Sequence, residues 1–186
     1  MKLLVAITGA SGAIYAQRLL DRIDARQHEL HLVMSPYAQQ VLAGELPGGL
    51  RVPEGAHQHA IKSMNAPFAS GTHAPDAMVV IPCTMGTMGR IAHGFSTDVL
   101  LRAADVCLKE RRRLILVPRE TPLNLVHVKN MELLLLAGAT ILPANPYFYS
   151  GARTLEELAD TVVARVLDHL GLTHDIGPRW ADEPAD

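Results

Sequence analysis

Five stretches of the chain gather small, hydroxylic and charged residues of the kind that bind anions and move protons. The first, Thr8-Gly9-Ala10-Ser11-Gly12-Ala13, follows the apolar run Leu3 to Ile7. Gly9 and Gly12 let backbone N–H groups approach a ligand, and a helix starting at Ala13 turns its positive end toward the same spot. Ser11 adds a hydroxyl donor. The loop suits a phosphate monoester, and the same residues also make an ordinary tight turn. It fits neither G-x-G-x-x-G nor G-x-x-x-x-G-K-[ST], which disfavours a standard dinucleotide or ATP site. Ser35 closes a second apolar run. Pro82-Cys83-Thr84-Met85-Gly86-Thr87 closes a third, with Thr84 and Thr87 as further donors.

Arg119-Glu120 places a carboxylate beside a guanidinium after a fourth apolar run. Such a pair can relay protons while the arginine holds an anion, or it can be a structural ion pair. The fifth stretch is Pro143-Ala144-Asn145-Pro146-Tyr147-Phe148-Tyr149. Arg165 follows Leu158 and Val162 at helical spacing, on or beside an apolar stripe, where a guanidinium needs an anionic partner. That partner is either a structural carboxylate or an anionic ligand. Arg102 and Lys109 lie seven apart with Val99 and Val106, a pattern that a solvated helix face explains. The nine histidines show no metal-ligand spacing and the 19 acidic residues are scattered, so no metal site is expected. Cys83 reads as a buried strand-end thiol, and Met85 to Met88 as core or as the wall of an apolar slot.

The elements that would position these residues alternate along the chain. Strands are predicted at Leu3 to Ile7, Leu30 to Met34, Met78 to Ile81 (stopped by Pro82), Leu114 to Val117 and Thr140 to Leu142. Helices are predicted at Ala13 to Ile23, Tyr37 to Ala43 and Asp98 to Arg111. A further helix runs from Thr121 as N-cap, with Pro122 first, to Leu136, and the last spans Thr154 to Gly171. The stretch from His57 to Pro75 has no clear pattern. Strands alternating with helices imply one α/β domain, a doubly wound parallel sheet with helices on both faces. Ligands bind outside the carboxyl ends of such strands, where all five stretches fall.

The 186 residues suit one domain, expected to span 1–180 with a flexible acidic tail at 181–186. With 48% hydrophobic residues, 19% charged residues and a formal net charge of −2, no bulk attraction to nucleic acid is expected. The basic run Lys109 to Arg113 contains Glu110 and complements a helix end. Two cysteines without a CxxC pair point to a reducing cytoplasm. The apolar start is too short for a good signal peptide, and no stretch is long enough to span a membrane.

The segments TGASGAIYAQRLL, HLVMS, VVIPCTMGTMGRIAHG, LLRAADVCLKERRRLILVPRETPLNLVHVKNM, GATILPANPYFY and VARVLDHLGL carry a specific likeness. From Met1 to about Trp180 the chain resembles the UbiX-like flavin prenyltransferases, a family also described as aromatic-acid decarboxylases. The resemblance implies a Rossmann-like, flavodoxin-like flavoprotein that transfers a dimethylallyl group from dimethylallyl phosphate to N5 and C6 of reduced FMN. The prenylated FMN then serves a UbiD-type decarboxylase. By residue-wise match, Gly9, Ala10, Ser11, Ser35, Thr84, Met85, Gly86, Thr87 and Arg119 would contact FMN. Tyr149 and Arg165 would hold the prenyl phosphate, with Lys109 and Arg102 nearby. Glu120 and Glu45 look like proton-handling carboxylates, and Ser11 like a hydroxyl near N5. The family implies a homododecamer with sites at subunit contacts, so Arg165 would serve a neighbour. The chain has no Asp-rich motif of the kind that recruits magnesium, so metal-independent transfer is expected.

Departures are few. Gly86 stands where many members carry lysine, Thr84 replaces serine, His73 replaces an aromatic residue, and the loop from Gly44 to Pro75 matches poorly. Two other readings share much of this pattern. PCTMGTMGRIA resembles the Pro-Ala-x-Ala-Asn-Thr region of FMN-dependent cysteine decarboxylases, although Met-Gly replaces Ala-Asn. A non-catalytic FMN-binding subunit would need neither Glu120, Lys109 nor Arg165.

Overall fold

The computed structural model describes residues 1–177; the expected tail at 181–186 and Trp180 lie outside them. β1 (Lys2–Ile7) is apolar on both faces, which suits a strand between two helical layers. It runs parallel to β2 (Glu29–Met34) on one side and β4 (Ala77–Cys83) on the other. β3 (His57–His59) lies outside β2, while β5 (Arg113–Pro118) and β6 (Thr140–Ile141) continue beyond β4. The order is β3-β2-β1-β4-β5-β6, all parallel, so the winding reverses between β1 and β4. Helices α1 (Ala13–Leu20), α2 (Pro36–Glu45) and α6 (Leu155–Leu170) share a core with Leu3, Val5, Ile7 and Val79. Helices α3 (Met85–Ala92), α4 (Val99–Lys109) and α5 (Leu125–Leu136) share a second core with Leu4, Ala6, Met78 and Val80. The doubly wound α/β sheet expected from the sequence is therefore present.

Local expectations fail where side chains or tertiary pairing override punctuation. Pro82 does not stop its strand: β4 runs to Cys83, and the pairing with β5 shifts register between Val80 and Cys83. A proline has no N–H to lose at such an irregularity. Thr84 to Thr87 is not a loop but the start of α3, whose Met85, Met88 and Ile91 are buried. Thr121 and Pro122 do not open α5. Asn124 does, because its side chain accepts from His127 N while the His127 side chain bonds the Asn124 amide in return. Thr154 and Gly171 bound α6 as the sequence implies, Gly171 at φ 73°.

The stretch left unread contains β3 and two 3₁₀ turns, Pro67–Ala69 and Gly71–His73. Phe68 is fully buried, edge-on to His31 and His59. His31 Nδ1 lies 2.9 Å from His59 Nε2, and His31 Nε2 lies 2.9 Å from Glu29 Oε1. Burial pushes both imidazoles below their ordinary pKa. They serve as neutral packing at the β2/β3 edge.

Candidate active site

The crevice where the winding reverses is held together by Thr8. Its Oγ1 donates to Pro82 O at 2.8 Å and accepts from Thr84 N at 2.8 Å, so one buried hydroxyl fastens the end of β1 to the junction of β4 with α3. A cavity of about 460 Å³ opens beside this junction, lined by residues including Gly9, Ser35, Tyr37, Thr84, Thr87 and Arg90. Two helix N-termini face it. Ser35 caps α2 by accepting from Ala38 N, and Thr84 caps α3 by accepting from Thr87 N. Free amides at helix starts, the Ser35, Thr84 and Thr87 hydroxyls and the Arg90 guanidinium form a donor-rich set that fits a phosphate.

The first loop is arranged differently from expectation. Among the six α-helices of the described residues, α1 alone has no side chain of its own at the N-cap. Glu45, the last residue of α2, fills that place: its Oε2 accepts from Gly12 N and Ala13 N, each at 2.8 Å. The positive end of α1 is thus occupied by a carboxylate of the same chain, and the anion cradle lies at α2 and α3 instead. Burial works to raise the Glu45 pKa. The Ser11 hydroxyl, the two amides and the Arg119 guanidinium outweigh it and hold the group below the usual carboxylate range. The stabilisation from this cap is therefore present above the ordinary glutamate range and lost as pH falls through the lowered pKa. Glu45 is held as an ionised acceptor that orients Ser11.

Arg119 joins this cluster, its Nε donating to Ser11 O at 3.0 Å. Glu120 is exposed beside it, and its Oε1 accepts from Thr121 N at 3.0 Å. Ala10 is buried, and Met85 turns into the core. Gly86 has open space where a Cβ would stand.

The four residues expected at a prenyl phosphate do not line this cavity. Tyr149 is exposed and stacks on Tyr147, with centroids 4.6 Å apart. Arg102 donates to Ala69 O and to Asp105. Lys109 ends α4 and pairs with Glu110. Since β5 follows at Arg113, Lys109 stands at the amino edge of the sheet, opposite the cavity. Arg165 does not sit on the apolar stripe of α6. It is exposed and pairs with Asp168, i+3 along the helix. Helical spacing placed it one step from the buried face, and a long charged side chain turns outward from there.

Reading by motif missed Thr8, Tyr37 and Arg90. Arg90 was legible as the i+3 partner of Thr87. Tyr37 shows why position 9 is glycine: a Cβ there would meet Tyr37 Cβ at 2.5 Å and Tyr37 C at 3.1 Å. Gly9→Ala is therefore expected to push away the first turn of α2. Overpacking of this kind costs about 1–3 kcal/mol. Chemical denaturation should show that loss, and flavin titration should show weakened binding, because Ser35 moves with the turn.

The Flavoprotein family model matches residues 1–167. The flavin prenyltransferase UbiX of Alkalihalophilus pseudofirmus is 41% identical over 96% of this chain and 95% of its own. The crystal structure of AnUbiX in complex with FMN and dimethylallyl pyrophosphate matches with a TM-score of 0.88 and 41% identity, covering 98% of both chains. A dodecameric FMN-dependent UbiX-like decarboxylase from Escherichia coli O157:H7 matches with a TM-score of 0.88 and 39% identity, over 97% of this chain and 99% of that one. With the family model matching residues 1–167 and relatives 41% identical along nearly the whole chain, this chain belongs to the UbiX-like flavin prenyltransferases.

Proposed function

We propose that the protein transfers a dimethylallyl group from dimethylallyl phosphate to N5 and C6 of reduced FMN, making prenylated FMN for a UbiD-type decarboxylase. The observation that carries this reading is the convergence of Ser35, Thr84 and Thr87 with two helix N-termini on one cavity, beside the Ser11–Glu45–Arg119 cluster. Bound FMN would supply the nucleophilic ring positions. Gly9, Ala10, Ser35, Thr84, Met85, Gly86, Thr87 and Arg119 hold it. Ser11, kept in place by Glu45, presents a hydroxyl, and Glu120 handles protons at the strand end. Tyr149, Arg165, Lys109 and Arg102 bind the prenyl phosphate. Because they lie off the cavity of their own chain, a neighbouring copy supplies them, as a homododecamer would allow. Two unpaired, buried cysteines accord with a cytoplasmic protein. Among the described residues no cluster of His, Cys, Asp and Glu could hold a metal, and no helix is long and apolar enough to cross a membrane.

Anaerobic incubation with reduced FMN and dimethylallyl phosphate is expected to yield a flavin heavier by one dimethylallyl unit, read by mass spectrometry. The diphosphate donor should be run alongside. Decarboxylation of a cysteine-ended peptide or of phosphopantothenoylcysteine, with the flavin unchanged, would establish the cysteine decarboxylase reading instead. FMN should also bind more tightly than FAD, since one phosphate cradle is present and a second is not evident in the sequence.

A further inference from the structure

Arg90 lies three residues after Thr87 on α3 and lines the same cavity as Gly9, Ser35, Thr84 and Thr87. Helical side chains lean toward their N-terminus, so this guanidinium folds back over the first turn of α3. Its Nε donates to Gly86 O at 3.2 Å and its Nη2 to Thr87 Oγ1 at 3.2 Å. A Cβ at Gly86 would not come within 4 Å of the Arg90 side chain. Nη1 is 3.9 Å from Asp98 Oδ2, a loose pair that keeps the group over the cavity.

The hydrogen bonds of this group leave a surplus of donors. Thr84 Oγ1 accepts from Thr87 N at 3.1 Å and bonds Thr87 Oγ1 at 3.0 Å. Thr87 Oγ1 also accepts from Arg90. Each hydroxyl carries one proton. One proton lies between the two oxygens; the other has no acceptor among these groups. The trio therefore ends in a hydroxyl proton and guanidinium N–H groups beside a positive helix end, an arrangement that only an acceptor completes.

We propose that Arg90 binds the FMN phosphate, supplying its positive charge and setting the Thr84–Thr87 pair so that one hydroxyl proton faces that phosphate. This inference rests on the reading of the cavity as an FMN site. The test is flavin titration of the wild type, Arg90→Gln and Arg90→Lys with FMN and with riboflavin, which lacks the phosphate. Arg90 is half-exposed, so both variants should fold. Arg90→Gln is expected to lose about tenfold to a hundredfold in FMN affinity while riboflavin binding stays within about twofold. Arg90→Lys should recover part of the FMN preference. Equal losses for both flavins would reduce Arg90 to scaffolding, and an unchanged FMN affinity would remove it from the site; either overturns the inference. A wild type that binds riboflavin as tightly as FMN would instead overturn the FMN reading itself, and the inference with it.

Discussion

Glu120→Gln is expected to retain FMN and to lose about 10²–10⁴-fold in the rate of prenylation, the usual cost of removing a general acid–base group. Glu120 stands at the carboxyl end of β5, next to the Arg119 that bonds the Ser11 carbonyl. Among the described residues its hydrogen bond is the one accepted from Thr121 N, and a glutamine Oε1 accepts that bond equally well. The loop should therefore keep its shape, leaving the titrating proton as the difference between the two proteins. Single-turnover rates across pH, together with FMN titration, separate the outcomes. The variant should show the rate loss across the pH range while its FMN affinity stays within about twofold of wild type. Near wild-type turnover would remove Glu120 from proton transfer.

The sheet was legible because its signals are local. Apolar runs such as Leu3 to Ile7 and the capping box at Thr154 name their elements within a few residues. What escaped depends on contacts between distant parts of the chain. Glu45 reaches α1 across a sequence separation of 33 residues, and no spacing rule connects a carboxylate at the end of one helix to the uncapped start of another. The same holds for Thr8, whose partners Pro82 and Thr84 are more than seventy positions away. His57 and His59 gave no pattern because β3 is three residues long and is fixed by packing on Phe68, not by alternation. Punctuation misled at Pro82 and Pro122, where the chain continues through a strand irregularity or turns once more before the helix. Gly9, Ser35, Thr84 and Thr87 were found by the rule for strand ends, whereas Tyr37 and Arg90 were not. The cations proposed for the prenyl phosphate, Arg165, Lys109 and Arg102, come from family likeness, and one chain does not bring them to the cavity.

That separation makes Arg165→Ala informative. Arg165 lies in the last two turns of α6, and the end of that helix is tied to the amino edge of the sheet by Arg113 Nη1, which donates to Leu170 O at 2.7 Å. The cavity opens at the carboxyl edge. Among the described residues of its own chain Arg165 pairs with Asp168, at 2.6 Å and largely in solvent, a contact worth little to stability. The substitution should therefore leave unfolding and FMN binding near wild type. If a neighbouring copy's Arg165 holds the departing phosphate, however, turnover loses a charge-assisted hydrogen bond of about 1.5–3 kcal/mol, or roughly tenfold to a hundredfold. Preorganised cations of this kind can stabilise the leaving phosphate without a metal ion, so wild-type activity should survive EDTA. Abolition by EDTA with rescue by magnesium would refute the metal-free scheme. Co-assembly of Arg165→Ala with Glu120→Gln chains tests the shared site directly. Where the two residues come from different copies, some sites in the mixed oligomer keep both, and activity rises well above either parent. Were both residues to serve the same chain's cavity, every site would lack one of them, and mixing would restore nothing.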